Sequence, residues 1–177
     1  MAKLRRAVAW RRLERPFTRT SKYKKLNYVR NIPNRKIVRY DMGNPKRKFS
    51  YYLDLVSKDD IQIRHNAIES ARQSSNRVLE LTLGKSAYQY KIRIFPHHVL
   101  RENPLAAGAG ADRMSTGMKK SYGKSVGSAA RVKKGQVLFT VGVQKPHIET
   151  ARKALVRAKN KLPCSCSIQV REIKESK

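Results

Sequence analysis

Residues 137–163 read VLFTVGVQKPHIETARKALVRAKNKLP, and two hydrophobic periods meet inside them. Val137, Phe139, Val141 and Val143 follow the period of two that places alternate side chains on one face of a strand. Past Pro146 the period becomes that of a helix, with Ile148, Ala151, Leu155, Ala158 and Leu162 recurring three or four positions apart. Proline suits a first helical turn, where its missing N–H would have no partner, and Pro163 cannot continue the helix. A strand running directly into an amphipathic helix means that both kinds of element share one core. The helix's polar side carries Lys145, Arg152, Lys153, Arg157, Lys159 and Lys161 against one acid, Glu149. With almost no pairing available within the helix, this face reads as a surface for a polyanion.

Outward from this stretch, residues 167–173 and 130–132 read as two further strands. Cys164 and Cys166 are the only cysteines. They lack a second Cys or His pair at zinc spacing, so no metal site is expected; positions i and i+2 share a strand face, and two half-buried thiols are the simpler reading. Tyr88, Tyr90, Ile92 and Ile94 alternate with Gln89, Lys91 and Arg93 as a half-buried strand. Ile68, Ala71, Ser75, Val78 and Leu79 predict a helix over 64–81, with Gly84 as its stop. Residues 37–41 predict a short strand, and Phe49, Tyr51, Leu53 and Leu55 another, with Gly43, Asn44 and Pro45 as the turn. No internal repeat is present. Strands flanking two helices, without strict strand–helix–strand alternation, give an α+β body with two helices against a mixed sheet.

The charge sets the partner. The 177 residues include 41 Lys and Arg against 12 Asp and Glu, a formal net charge of +29. Charge of one sign at this density opposes compaction, so a polyanion is expected to complete the fold. The first 48 residues hold 17 basic side chains against Glu14 and Asp41. Residues 1–35 therefore read as a basic extension, with a short helical piece around 4–13, that orders against the partner. Trp10, Phe17, Tyr23 and Tyr28 are interleaved with these cations, as base-stacking residues would be. Residues 36–177 read as one domain. No stretch approaches the length of a membrane span, and the N-terminus shows no apolar signal segment, so a cytosolic protein is expected.

Residues 102–128 break every periodicity. Gly108, Gly110, Gly117, Gly123 and Gly127 alternate with small residues and with Arg113, Lys119, Lys120 and Lys124. A loop this long inside a domain is usually functional. Neither a P-loop nor a dinucleotide fingerprint is present. The better reading is close approach of glycine backbone to a phosphate chain that the cations neutralise. His97 and His98 are adjacent on an extended chain and face opposite ways, so they are poorly placed as an acid–base pair. Asp59 and Asp60 read as a cap at a helix start, and Asp112 as the orienting partner of Arg113. A DNA-compacting protein is the weaker alternative, because the core and aromatics exceed what nonspecific wrapping needs.

The run Arg101, Glu102, Asn103, Pro104, then Gly110, Ala111, Asp112, Arg113, then Thr116, Gly117, Met118, then Gly123, Lys124, and Ala130, Arg131, Val132 resembles the universal large-subunit ribosomal protein family L-sixteen, in the archaeal and eukaryotic form called L-ten-e. Ile63, Arg64, His65, Asn66 and Ala67 fit it too, as do Phe95, Pro96, the histidines and Val99. The resemblance covers residues 36–163. It implies an α/β-hammerhead body in a cleft of large-subunit, 23S-type rRNA, near where aminoacyl-tRNA is accommodated. Further implied partners are 5S rRNA, neighbouring ribosomal proteins and, transiently, tRNA; no homo-oligomer, cofactor or membrane is implied. The loop would face tRNA and the peptidyl transferase centre through Gly108, Gly110, Asp112, Arg113, Gly117, Met118, Lys119, Lys120, Gly123 and Lys124. Peptide-bond chemistry belongs to the RNA, so no enzyme is expected. Contacts to rRNA are expected from Arg5, Arg6, Arg11, Arg12, Arg19, Lys22, Lys24, Lys25, Arg30, Arg35, Lys46, Arg47, Lys48, Arg131, Lys133, Lys134, Arg152, Lys153 and Arg157.

Overall fold

The computed structural model describes residues 5–16, 18, 19, 21–29, 31–102 and 123–173. Among the described residues, eight strands and two α-helices follow in the order β1 (Asp41–Gly43), β2 (Tyr51–Ser57), β3 (Ile61–Arg64), α1 (His65–Leu83), β4 (Gln89–Ile92), β5 (His98–Glu102), β6 (Lys124–Val132), β7 (Val137–Val143), α2 (Ile148–Lys159) and β8 (Cys166–Glu172). The expected α+β class holds. The strands form a five-stranded sheet, β1-β4-β7-β2-β8, and a three-stranded sheet, β3-β6-β5, and every pairing is antiparallel.

The strand and the helix of residues 137–163 converge here. β7 is the middle strand of the larger sheet, and all its residues after Val137 are buried, which explains its mostly apolar run, with the buried Thr140 hydroxyl donating to Asp54. α2 presents Ala151, Ala154, Leu155 and Ala158, all fully buried, to a core that includes Leu53, Leu55, Tyr90, Phe139 and Val141. α1 packs against α2, and its buried positions include Ala71 and Ser75. The Ser75 hydroxyl lies 2.7 Å from the buried Tyr90 hydroxyl, whose proton burial makes harder to remove. Gly84 ends α1 with φ of +72°, its N–H donating to the Glu80 carbonyl.

Several boundaries differ from those the sequence predicts. The strand placed at 37–41 is instead Asp41–Gly43, paired with β4; just before it the Tyr40 carbonyl accepts from the Ile92 N–H, and Ile37 is buried outside any strand. Gly43, Asn44 and Pro45 consequently close no hairpin with β2. A Cβ on Gly43 would lie 2.2 Å from the Tyr88 carbonyl oxygen, so only glycine lets β1 sit there. Asp59 and Asp60 do not cap a helix. They form the turn before β3, where Asp59 accepts from the Ser165 N–H and Asp60 from the Lys134 N–H. The loop expected to run to residue 128 ends by Lys124, since β6 pairs with both β3 and β5 although it is rich in small residues. Of the helical piece around 4–13, the described residues contain one 3-10 turn, Ala7–Ala9.

Candidate nucleic-acid interface

The N-terminal segment is laid across the three-stranded sheet. Gln62 on β3 clamps it twice: its side-chain amide donates to the Trp10 carbonyl (2.9 Å), and its backbone N–H donates to the Arg11 carbonyl (2.8 Å). From β6, Arg131 donates to the Glu14 carbonyl (2.8 Å), and Arg5 forms an ion pair with Glu102. Between segment and sheet lies a cavity of 390 Å³, whose lining includes Trp10, Arg12, His98 and Arg131. The half-buried Trp10 is therefore turned toward the body, while Tyr23 is open to a base at 69% exposure. Phe17 lies outside the described residues.

The root of the central loop is fixed at several points. Glu102 and Lys124 face each other across β5 and β6, as do Arg101 and Ser125, beside an irregularity between Leu100 and Arg101. The Arg101 guanidinium sits 5.6 Å from the centre of the Tyr28 ring, a cation–π distance. Gly123 and Lys124 thus stand at the described root, and Lys124 is exposed. Gly108, Gly110, Asp112, Arg113, Gly117, Met118, Lys119 and Lys120 fall outside the described residues, as does Arg30.

Every other cation expected to meet rRNA is exposed: Arg5, Arg6, Arg11, Arg12, Arg19, Lys22, Lys24, Lys25 and Arg35 along the extension, Lys46, Arg47 and Lys48 before β2, Arg131, Lys133 and Lys134 around the β6–β7 turn, and Arg152, Lys153 and Arg157 on α2. They are spread over separate surfaces. Some also serve the fold: Arg35 donates to the Pro96 carbonyl (3.2 Å) and lies 4.8 Å from the Phe95 ring centre, and Arg47 lies 5.6 Å from that of Phe49. Sequence reasoning passed over Arg64 and Arg77. The signal for Arg64 was available, because a basic residue directly before a helix opposes the helix dipole.

Among the described residues, His97 and His98 have separate surroundings. Gln62 Oε1 can only accept, so the His98 Nδ1 at 2.5 Å carries the proton. Burial, then the charges of Arg131 and Arg101, hold His98 below the ordinary histidine value and keep it neutral. His97 turns the other way, its ring 4.4 Å from that of Phe95. The free thiols of Cys164 and Cys166 lie 3.4 Å apart. Among the described residues no group of three or more His, Cys, Asp or Glu is gathered as a metal ion would require. No described helix is long and apolar enough to cross a membrane.

With this geometry in place, comparison with known proteins is specific. The family described as ribosomal protein L16p/L10e matches residues 16–169, a wider span than the sequence motifs alone covered. The large ribosomal subunit protein uL16 of Methanococcus maripaludis is 48% identical over 172 residues, 97% of this chain and 96% of that protein. The uL16 of Archaeoglobus fulgidus is 47% identical over 164 residues, 93% of this chain and 91% of its own. That of Staphylothermus marinus is 45% identical over 152 residues, 86% and 87% of the two chains.

Proposed function

Because the chain belongs to the ribosomal protein L16p/L10e family, we propose that it is a constituent of the large ribosomal subunit that docks on large-subunit rRNA and braces the region where tRNA is accommodated. The observation that carries this reading is the division of labour in its charge. The cations are exposed on several faces of one folded body, as a protein wedged among several RNA segments requires. Phosphate contacts of this kind position a protein without reading sequence. In this reading the body of residues 36–177 docks, residues 1–35 run along it into neighbouring RNA, and the loop with Gly108, Gly110, Asp112, Arg113, Gly117, Met118, Lys119 and Lys120 extends toward tRNA and the peptidyl transferase centre. The reaction there belongs to the RNA. Its place is the cytoplasmic ribosome, with ribosomal proteins and 5S rRNA as neighbours.

Gradient fractionation of a cell lysate tests the assignment. The protein should sediment with large subunits and polysomes, and its absence from both would overturn the reading. A second arm tests the loop. Shortening residues 106–119 should leave the protein in large subunits yet slow tRNA handling or late subunit maturation, and wild-type translation in that strain would refute the loop's role. Among the described residues, His98 is tied to Gln62 and His97 is packed on Phe95, which disfavours a role of this pair in RNA cleavage.

A further inference from the structure

Two contiguous hollows run along α1 where the end of α2 meets it. One, of 390 Å³, is lined in part by Arg64, Asn66 and Ser70; the other, of 440 Å³, by Ser74, Arg77 and Arg157; Asn160 and Lys161 line both. Asn66, Ser70, Ser74 and Arg77 succeed one another at helical spacing and so form one stripe of α1. At 1.5 Å per residue the stripe is about 16 Å long, too long for a single small anion. Arg157, Asn160 and Lys161 form the facing wall.

Among the described residues the groove is lined by four cations, Arg64, Arg77, Arg157 and Lys161, and by no acid. None of the four takes part in an ion pair among the described residues. Arg157 at the end of α2 is accounted for by the helix dipole, which favours cations at a C-terminus. Arg64 is not. It stands immediately before α1, whose first turn holds no acid, where the dipole adds to its charge. Burial further pulls the Arg64 guanidinium below its ordinary value. Locally unfavourable charge that the fold nonetheless maintains points to a partner that neutralises it.

We infer that this groove seats the sugar–phosphate backbone of one strand of folded RNA. The inference rests on the ribosomal reading and adds which face takes the backbone and how. Its serine and asparagine side chains are short enough to admit a phosphate chain and supply neutral hydrogen bonds to phosphate and ribose oxygens. Among the described residues no aromatic side chain lines either hollow, so the groove offers no stacking platform there and tracks backbone without reading bases. It differs in this from the face carrying the exposed Tyr23.

The test is filter binding of the full chain to transcribed large-subunit rRNA across a salt series. The triple variant Arg64→Gln, Arg77→Gln, Arg157→Gln should flatten the slope of log affinity against log salt by roughly 2 to 3, near one unit for each phosphate left without its cation. The control Lys58→Gln, Lys85→Gln, which removes exposed cations outside the groove, should change it by less than half of that. A wild-type slope in the triple variant overturns the groove assignment. Wild-type protein that does not bind rRNA would instead refute the ribosomal reading itself. A second measurement is independent of how the variants fold: Ser74→Cys carrying a photo-crosslinker, assembled into large subunits, should label rRNA. Label on a protein segment, or none, would overturn the inference.

Discussion

The two sheets of this chain share one apolar core, but the smaller is tied down by polar bonds to the N-terminal segment as well. The five-stranded sheet and its helices share an apolar core in which Leu53, Leu55, Phe139, Val141 and Leu155 are fully buried. In the three-stranded sheet the buried part of the central strand includes Ser128, Ala129 and Ala130, which offer little apolar surface, and the Ser128 hydroxyl has no partner among the described residues. What closes that side is a set of polar bonds between distant chain segments: Gln62 to Trp10 and Arg11, Arg131 to Glu14, and Arg5 to Glu102. Apolar burial is non-directional and local periodicity announces it, whereas these bonds depend on one segment being laid in register on another. The larger sheet supplies the greater share of the apolar core. The smaller one contributes Ile61, Ile63, Ala130 and Val132 to it and carries the extension as well.

The contrast can be broken most severely in the core. Phe139→Ala should cost about 3–5 kcal/mol and unfold the whole chain at lower urea; a change in ΔG under about 1 kcal/mol would show that the larger sheet is not the main source of stability. Gln62→Ala should cost about 1–3 kcal/mol, felt on the other side. Hydrogen exchange over residues 5–16 should quicken while α1 and β7 stay protected. Quickening in all three would show that the two sheets do not open separately.

A smaller effect sharpens the join between sequence and fold at Glu69. This buried carboxylate on α1 accepts from Arg72, Gln73 and the Val38 N–H, and so ties down the chain before β1. Burial raises its pKa, but the hydrogen bonds and charge of Arg72, with those from Gln73 and Val38, leave the net value below 4.5. A carboxyl depressed in the fold stabilises it fully above its unfolded value, and the stabilisation is lost as pH falls through the lower folded value. Glu69→Gln should therefore destabilise by about 1 kcal/mol at neutral pH, and denaturation curves of variant and parent should converge in acid well below pH 4.5. The smallest effect is expected at Lys22, Lys24 and Lys25, all exposed. Their joint change to Gln should leave the urea midpoint unchanged or raise it slightly by easing self-repulsion.

The same contrast explains what the sequence made legible. β7 and α2 follow from their apolar periods, and α1 runs from His65 to Leu83 where 64–81 was predicted. β3 and β5 have only four and five residues, and β6 is built largely of small ones. Their strand character comes from partners far along the chain, which override weak local preference. The docking of the extension was invisible for a different reason: Gln62 and Arg131 grip the backbone carbonyls of Trp10, Arg11 and Glu14, groups that every residue carries. The exposed cations could be named one by one, but the groove with Arg64 and Arg77 exists only because the two helices pack side by side.

Glu102 and Lys124 occupy one rung of the β5–β6 ladder. Whatever chain lies between them leaves the sheet and returns to it at a single place, so its length is uncoupled from the architecture beneath. Doubling the number of residues in such an excursion costs only about 0.6 kcal/mol of closure entropy. The body therefore tolerates a change in the length of that segment at small cost, and its reach and chemistry can be altered apart from foldability.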